Sequence, residues 1–272
     1  MIDKLLQDIV ERECKDNEVA VLLSGGIDSN SLLFTANRLG KKVHCYTFHL
    51  DTFLESYDSK KAQEVCKKFN FDLTVIEVPT NNLESDFISL AEKYKCQKKT
   101  QYECTFPFMY VIPKIKEKYV ISGLVADGHF GLSKKASLHY KHPKEKFDKF
   151  RKDYFSVENP GGVIQLKMLC KEYNKVLSVP YLDKKVFDYF IQFDWDTLNK
   201  PKEKYEIRKC FPEFNEIRYK NHLNLQLVSR VDKTFETLLT NKKINFRNRQ
   251  RVMDICKDWY KLKKPSIIEG LV

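Results

Sequence analysis

What the 272-residue sequence lacks narrows its class first. No run of about 18 apolar residues occurs, so no transmembrane helix is predicted. The start, Met1-Ile2-Asp3-Lys4-Leu5, has no apolar h-region and no small-residue cleavage site. No secretory leader is therefore expected, and the chain reads as cytoplasmic. Eight cysteines are scattered along the chain, none in a Cys-x-x-Cys pair. Structural zinc usually shows such pairs, so the expectation is free thiols in a reducing compartment. No Gly-Lys-Ser/Thr loop and no Gly-x-Gly-x-x-Gly fingerprint is present, which removes the lysine-loop nucleotide and dinucleotide readings.

What is there describes a globular protein, 42% hydrophobic and 31% charged. The length fits one large domain over residues 1–272, with an α/β core expected at 1–136 and a mainly helical part at 137–272. Formal net charge is +11, which reads equally as affinity for polyanions (ATP, pyrophosphate or nucleic acid) and as a lysine-rich surface that supplies solubility.

Residues 1–14 carry Ile2, Leu5, Leu6, Ile9 and Val10 at helical spacing. Val19–Leu23 is a continuous apolar run suited to a parallel strand covered on both faces. A helix from Asn30 to Leu39, a strand Val43–Phe48, a helix Ser56–Phe69 and a strand Phe71–Val78 follow. Helices are predicted at Leu83–Tyr94 and Phe106–Lys118, then a short strand, Tyr119–Ser122. The alternation predicts a doubly wound α/β parallel sheet. Beyond Ser137 the prediction is helices: Val163–Tyr173, Lys184–Phe193, Lys204–Cys210, Leu225–Thr240 and Phe246–Tyr260.

Ser24-Gly25-Gly26-Ile27-Asp28-Ser29 lies between the first strand and its helix. Glycines let backbone N–H groups approach an anion, and the following helix points its positive end at the same place. Asp28 sits inside that turn, and a carboxylate beside phosphates implies a divalent cation between them, so magnesium is expected.

This stretch resembles the Ser-Gly-Gly-x-Asp-Ser signature of the PP-loop ATP pyrophosphatases, which cleave ATP to AMP and pyrophosphate. Three further stretches resemble the asparagine synthetase branch. Ser122-Gly123-Leu124-Val125-Ala126-Asp127-Gly128-His129-Phe130-Gly131 is similar to Ser-Gly-Glu-Gly-x-Asp-Glu-x-Phe-Gly. Val179-Pro180-Tyr181-Leu182-Asp183 is similar to Val-Pro-Phe-Leu-Asp, and Lys204-Tyr205-Glu206-Ile207-Arg208 to Lys-x-x-Leu-Arg. Leu124 stands where the family has a catalytic glutamate, Val125 where it has a glycine, and Gly128 where it has a second acid. His129, beside Asp127, reads either as an acid, base or donor, or as an exposed loop histidine. Asp183 reads first as a helix cap. The spacing of Lys204 and Arg208 places both on one helix face.

The resemblance implies ATP and magnesium as cofactors, with Asp28 and Asp127 as the metal ligands. Ser24, Gly25, Gly26, Asp28, Ser29, Ser122 and Gly123 would hold the phosphates. Leu22, Thr47 and Phe48 would border the adenine, near Tyr46. Lys204 would stabilise departing pyrophosphate, with Asp127 and Arg208 as the other catalytic groups. Glutamine-using members begin with a glutaminase domain and a cysteine at the second position. Here residue 2 is Ile2, so no glutaminase is expected. Ammonia would arrive free or from a separate amidotransferase partner, or another amine would replace it.

The implied activity is adenylation of an acceptor carbonyl or carboxylate, followed by amide or C–N bond formation. Two alternatives stand beside it. One is ATP-dependent modification of a nucleotide, tRNA or DNA base, favoured by the charge and by Arg247-Asn248-Arg249-Gln250-Arg251. The other is a non-catalytic nucleotide-binding protein, for which Leu124 and Gly128 are the argument.

Overall fold

The computed structural model describes residues 1–53, 56–96, 99–157, 160–219 and 224–235. Five parallel strands form one sheet in the order β3-β2-β1-β4-β5. They are β1 (Glu18–Leu22), β2 (Lys42–Leu50), β3 (Asp72–Val78), β4 (Tyr119–Ser122) and β5 (Val176–Ser178). Helices α1 (Ile2–Glu13), α2 (Ile27–Arg38), α3 (Tyr57–Phe69), α4 (Leu83–Glu92), α5 (Lys99–Thr105) and α6 (Phe108–Val111) belong to the first half. The second half contributes α7 (Ala126–Phe130), α8 (Lys134–His139), α9 (Lys144–Ser156) and α10 (Val163–Glu172). After these come α11 (Lys184–Phe190), α12 (Trp195–Asn199), α13 (Tyr205–Arg208) and α14 (Leu225–Val228). Among the described residues no helix is long and apolar enough to cross a membrane.

Strand side chains alternate between two buried layers, as the pleat requires. Val19, Val21 and Leu23 join one core with residues of α1, α2 and α3, including Leu6, Leu33 and Val65. Ala20 and Leu22 join the other with residues of α4, α6 and α10, including Phe87, Val111 and Leu169. A strand buried on both faces must be apolar throughout, which is why β1 reads as a continuous run.

The sheet order reverses at β1. Its neighbours are β2 on one side and β4 on the other, with Leu22 level with Tyr46 and with Ser122. Chains leaving β1, β2 and β4 therefore emerge at the same carboxyl edge. That is where an open α/β sheet forms its crevice.

Several predictions of local structure are corrected. The helix expected over Phe106–Lys118 does not form as one piece. Pro107 and Pro113 lack donor N–H groups, so α5 ends at Thr105 and α6 at Val111, with a 3-10 turn at Ile112–Lys114. The second glycine-rich stretch is a turn only at its start and is helical from Ala126, where α7 begins. β5, a three-residue edge strand exposed only at Val176, had no sequence signal and adds a strand from the helical half. The helix expected over Leu225–Thr240 ends at Val228, and Arg230 takes φ +63 before residues 231–235 turn helical again. Its end beyond residue 235, the helix Phe246–Tyr260 and the arginine run at 247–251 lie outside the described residues.

Candidate active site

The turn after β1 is wired by its own hydroxyls. Ser24 and Ser29 Oγ atoms lie 3.1 Å apart, and the Gly26 N–H donates to Ser24 Oγ at 3.3 Å. Asn30 Nδ2 donates to the Gly26 carbonyl at 2.6 Å. Gly25 takes φ +71, and a Cβ there would meet Lys61 Cβ at 2.6 Å and the Ala62 amide nitrogen at 2.8 Å. Both the backbone conformation and the approach of α3 require glycine. Gly25→Ala should therefore strain the turn by about 1–3 kcal/mol. The expected outcome is a lower melting temperature together with weaker ATP binding; unchanged ATP affinity would contradict the role of this turn.

The turn after β4 comes up against the first. A Cβ on Gly123 would sit 3.0 Å from the Ser29 amide nitrogen. Between the turns lies a cavity of about 300 Å³. Ser24, Gly25, Gly26, Asp28 and Ser29 line it from the first turn, and Ser122, Gly123 and Asp127 from the second. Leu22, Thr47 and Phe48 close it at the strand ends, and Lys204 and Arg208 approach from the helical half. All of these residues, assigned from sequence to ATP, metal or catalysis, thus border one cavity.

At its polar end, Lys204 Nζ donates to Asp127 Oδ1 at 2.7 Å and to Asp28 Oδ2. The ammonium is nearly buried. Burial alone would lower its pKa, but Asp127 and Asp28 outweigh that and hold it above the ordinary lysine value. Lys204 is not in the helix as its spacing suggested. It takes φ +59 just before α13, so the one-face argument does not apply. Asn199 sets this position: its Oδ1 accepts the Lys204 N–H at 3.3 Å, and its Nδ2 donates to the Phe130 carbonyl at 2.9 Å. One amide therefore ties Lys204 to α7, which carries Asp127. Arg208 faces the cavity from α13, its Nε donating to the Glu203 carbonyl at 2.8 Å and its guanidinium 5.7 Å from the Tyr219 ring.

His129 is neither of the things expected of it. It is fully buried among Phe155, Phe190 and Tyr181, and it does not border the cavity. Two residues along a helix turn a side chain by about 200°, so Asp127 and His129 face opposite ways. Nε2 lies 2.8 Å from the Tyr181 carbonyl, which makes it the protonated nitrogen. Desolvation pushes the pKa down to about 3, with a smaller contribution from Arg151, so the ring is neutral. Asp183 caps α11 through the Lys185 N–H at 2.7 Å, as its position suggested, and also pairs with Arg12. It does not line the cavity.

The departures at 125 and 128 have structural reasons. Val125 takes φ +63, the left-handed region that a glycine adopts freely. A Cβ on Gly128 would lie 2.3 Å from the Tyr154 ring, so no side chain fits there beside it. Tyr154 borders the cavity. It is placed by Arg151 on the same helix, whose buried guanidinium donates to the carbonyls of Phe190 at 2.6 Å and Phe193 at 2.9 Å. Burial and then the Asp127 charge raise the Tyr154 phenol to about 12.

Sequence reasoning missed Tyr154, Asn199, Tyr219 and Asp58. Tyr154 and Asn199 act across long sequence separations and left no local signal. Asp58 did leave one, because the start of the helix after β2 must fall at the carboxyl edge.

Residues 1–173 match the family described as asparagine synthase. That stretch holds both glycine-rich turns, while Lys204 and Arg208 lie beyond it. The chain is also similar to the crystal structure of a predicted subunit of tRNA methyltransferase from Methanocaldococcus jannaschii. Identity is 17% over 75% of this chain and 93% of that one, with a TM-score of 0.37, too distant to bear on activity. On the match over more than half its length, the chain belongs to the asparagine synthase family, whose PP-loop synthetase domain uses ATP in adenylation-type chemistry.

Proposed function

We propose that the protein adenylates a carbonyl or carboxylate oxygen with ATP, releases pyrophosphate, and transfers the activated group to an amine. The acceptor oxygen attacks the α-phosphorus, and an amide or C–N bond forms as AMP leaves. One observation carries this reading: a buried lysine from the helical half reaches two carboxylates on two facing glycine turns.

The donor set fits magnesium. Two carboxylates, from the first turns of α2 and α7, converge on one cation position, and magnesium takes one or two carboxylates plus phosphate oxygens. Among the described residues no third His, Cys, Asp or Glu completes a cluster, so phosphate and water would supply the rest. Asp28 and Asp127 would hold the ion, which would neutralise charge on the leaving pyrophosphate. Ser24, Ser29 and the backbone of Gly25 and Gly26 orient the phosphates. Lys204 then shifts its ammonium toward the bond that breaks. Leu22, Thr47 and Phe48 bound the adenine side, and Ser122 and Gly123 complete the wall opposite the first turn.

The net charge of +11 favours a second reading of the acceptor as a nucleotide or nucleic-acid base.

The test is pyrophosphate–ATP exchange screened over amino acids, nucleotides and tRNA. An acceptor that supports exchange in the wild type should support none in Asp28→Ala. Exchange that persists in that variant would contradict the mechanism.

A further inference from the structure

Four carboxylates border the cavity: Asp28, Asp58, Asp127 and Glu203. Asp28 and Asp127 hold Lys204, and Glu203 is also engaged. Asp58 alone makes no hydrogen bond or ion pair with any described residue. It lies in the first turn of α3, three residues before Lys61, and so on the same helix face. That face rests on the first glycine turn, because Lys61 Cβ lies 2.6 Å from where a Gly25 Cβ would be. The Lys61 ammonium is committed to Glu64. Tyr57 on the same helix, Asp28 from the first turn, and Arg208, Glu203 and Tyr219 from the helical half face the same cavity. The turn after β4 supplies no proton acceptor at position 124, which is leucine.

We propose that Asp58 binds the incoming amine as its ammonium and takes a proton from it. This rests on the adenylating reading above. One N–H bond breaks, and its proton passes to an Asp58 carboxylate oxygen. The freed nitrogen lone pair forms the C–N bond with the activated carbonyl carbon. The carbonyl C–O bond to AMP breaks, and its electron pair leaves on the AMP phosphate. The second nitrogen proton departs on that phosphate. Desolvation raises the lone Asp58 carboxyl to about 7, so pairing with a cation tips it to the carboxylate.

A titration on the full chain, labelled with 13C at aspartate carboxyl carbons, tests this without knowledge of the acceptor. Absence from both Asp58→Asn and Asp58→Ser assigns the resonance. Its midpoint should lie near 7 and should fall by about one to three units when methylammonium chloride saturates the site. Sodium chloride at equal ionic strength should not reproduce the fall, nor should tetramethylammonium, which has no N–H. A midpoint near the ordinary aspartate value of about 3.9 would overturn the proposal. So would equal responses to sodium and methylammonium. Folded Asp58→Asn should keep its thermal stabilisation by ATP; its loss would place Asp58 in the nucleotide site instead. Failure of the adenylating reading shows separately, in exchange that survives Asp28→Ala.

Discussion

Lys204→Ala is expected to lower turnover by about 10²–10³ while leaving ATP affinity nearly unchanged. The ammonium is most valuable as negative charge gathers on departing pyrophosphate, so its loss falls on kcat rather than on binding. Lys204 holds Asp28 and Asp127 together. Removing it leaves two carboxylates facing one another with no cation. The variant should melt lower than wild type, and magnesium ion should raise its melting temperature more than that of wild type. The ion pair adds no pH dependence near neutrality. A lysine whose folded pKa is raised contributes stability fully below its unfolded value of about 10.4 and loses it only as pH rises further. Initial rates against ATP concentration separate the two effects. A raised KM with unchanged kcat would contradict the assigned role.

His129→Gln is expected to remove an acid sensitivity built into the core. The buried imidazole titrates at about 3, against about 6.5 when unfolded. Below about pH 6.5 the unfolded chain binds the proton and the folded chain does not. This histidine therefore costs about 1.4 kcal/mol of stability for each pH unit of acidification down to its folded pKa. Asp58 acts in the opposite direction. Its carboxyl is raised to about 7, so stability falls as pH rises from the aspartate value of about 3.9 toward 7. The two partly cancel in wild type, so the histidine contribution is read as a difference between proteins. Glutamine can still donate to the Tyr181 carbonyl but cannot titrate. Urea unfolding at pH 7.5, 5.5 and 4.5 should show the variant gaining on wild type as pH falls. A constant difference would mean that the ring is protonated or exposed.

Much of the cavity's lining was legible because the motifs that form it are local. Ser24–Ser29 announces itself by a strand before it and a helix after it, whereas Asp127 came from the resemblance of the turn after β4 to the family pattern. What escaped is set by partners distant in sequence. Gly128 is explained only once α9 lays Tyr154 on it. The left-handed backbone of Lys204 and its tie to Asn199 break the helical spacing that suggested a shared face. His129 was misread because adjacency in sequence was taken for adjacency in space. In the fold, the alternation of strands and helices gave the sheet, and β5, at three residues, was too short to carry a pattern.

The claim that the two turns hold the pyrophosphate end of ATP is tested most directly by calorimetric binding of ATP and AMP, each with magnesium, to wild type and Asp28→Ala. The account predicts that the substitution weakens ATP binding by well over about tenfold, roughly 1.4 kcal/mol, and leaves AMP binding unchanged. Equal losses for both nucleotides, or no loss for ATP, would contradict it.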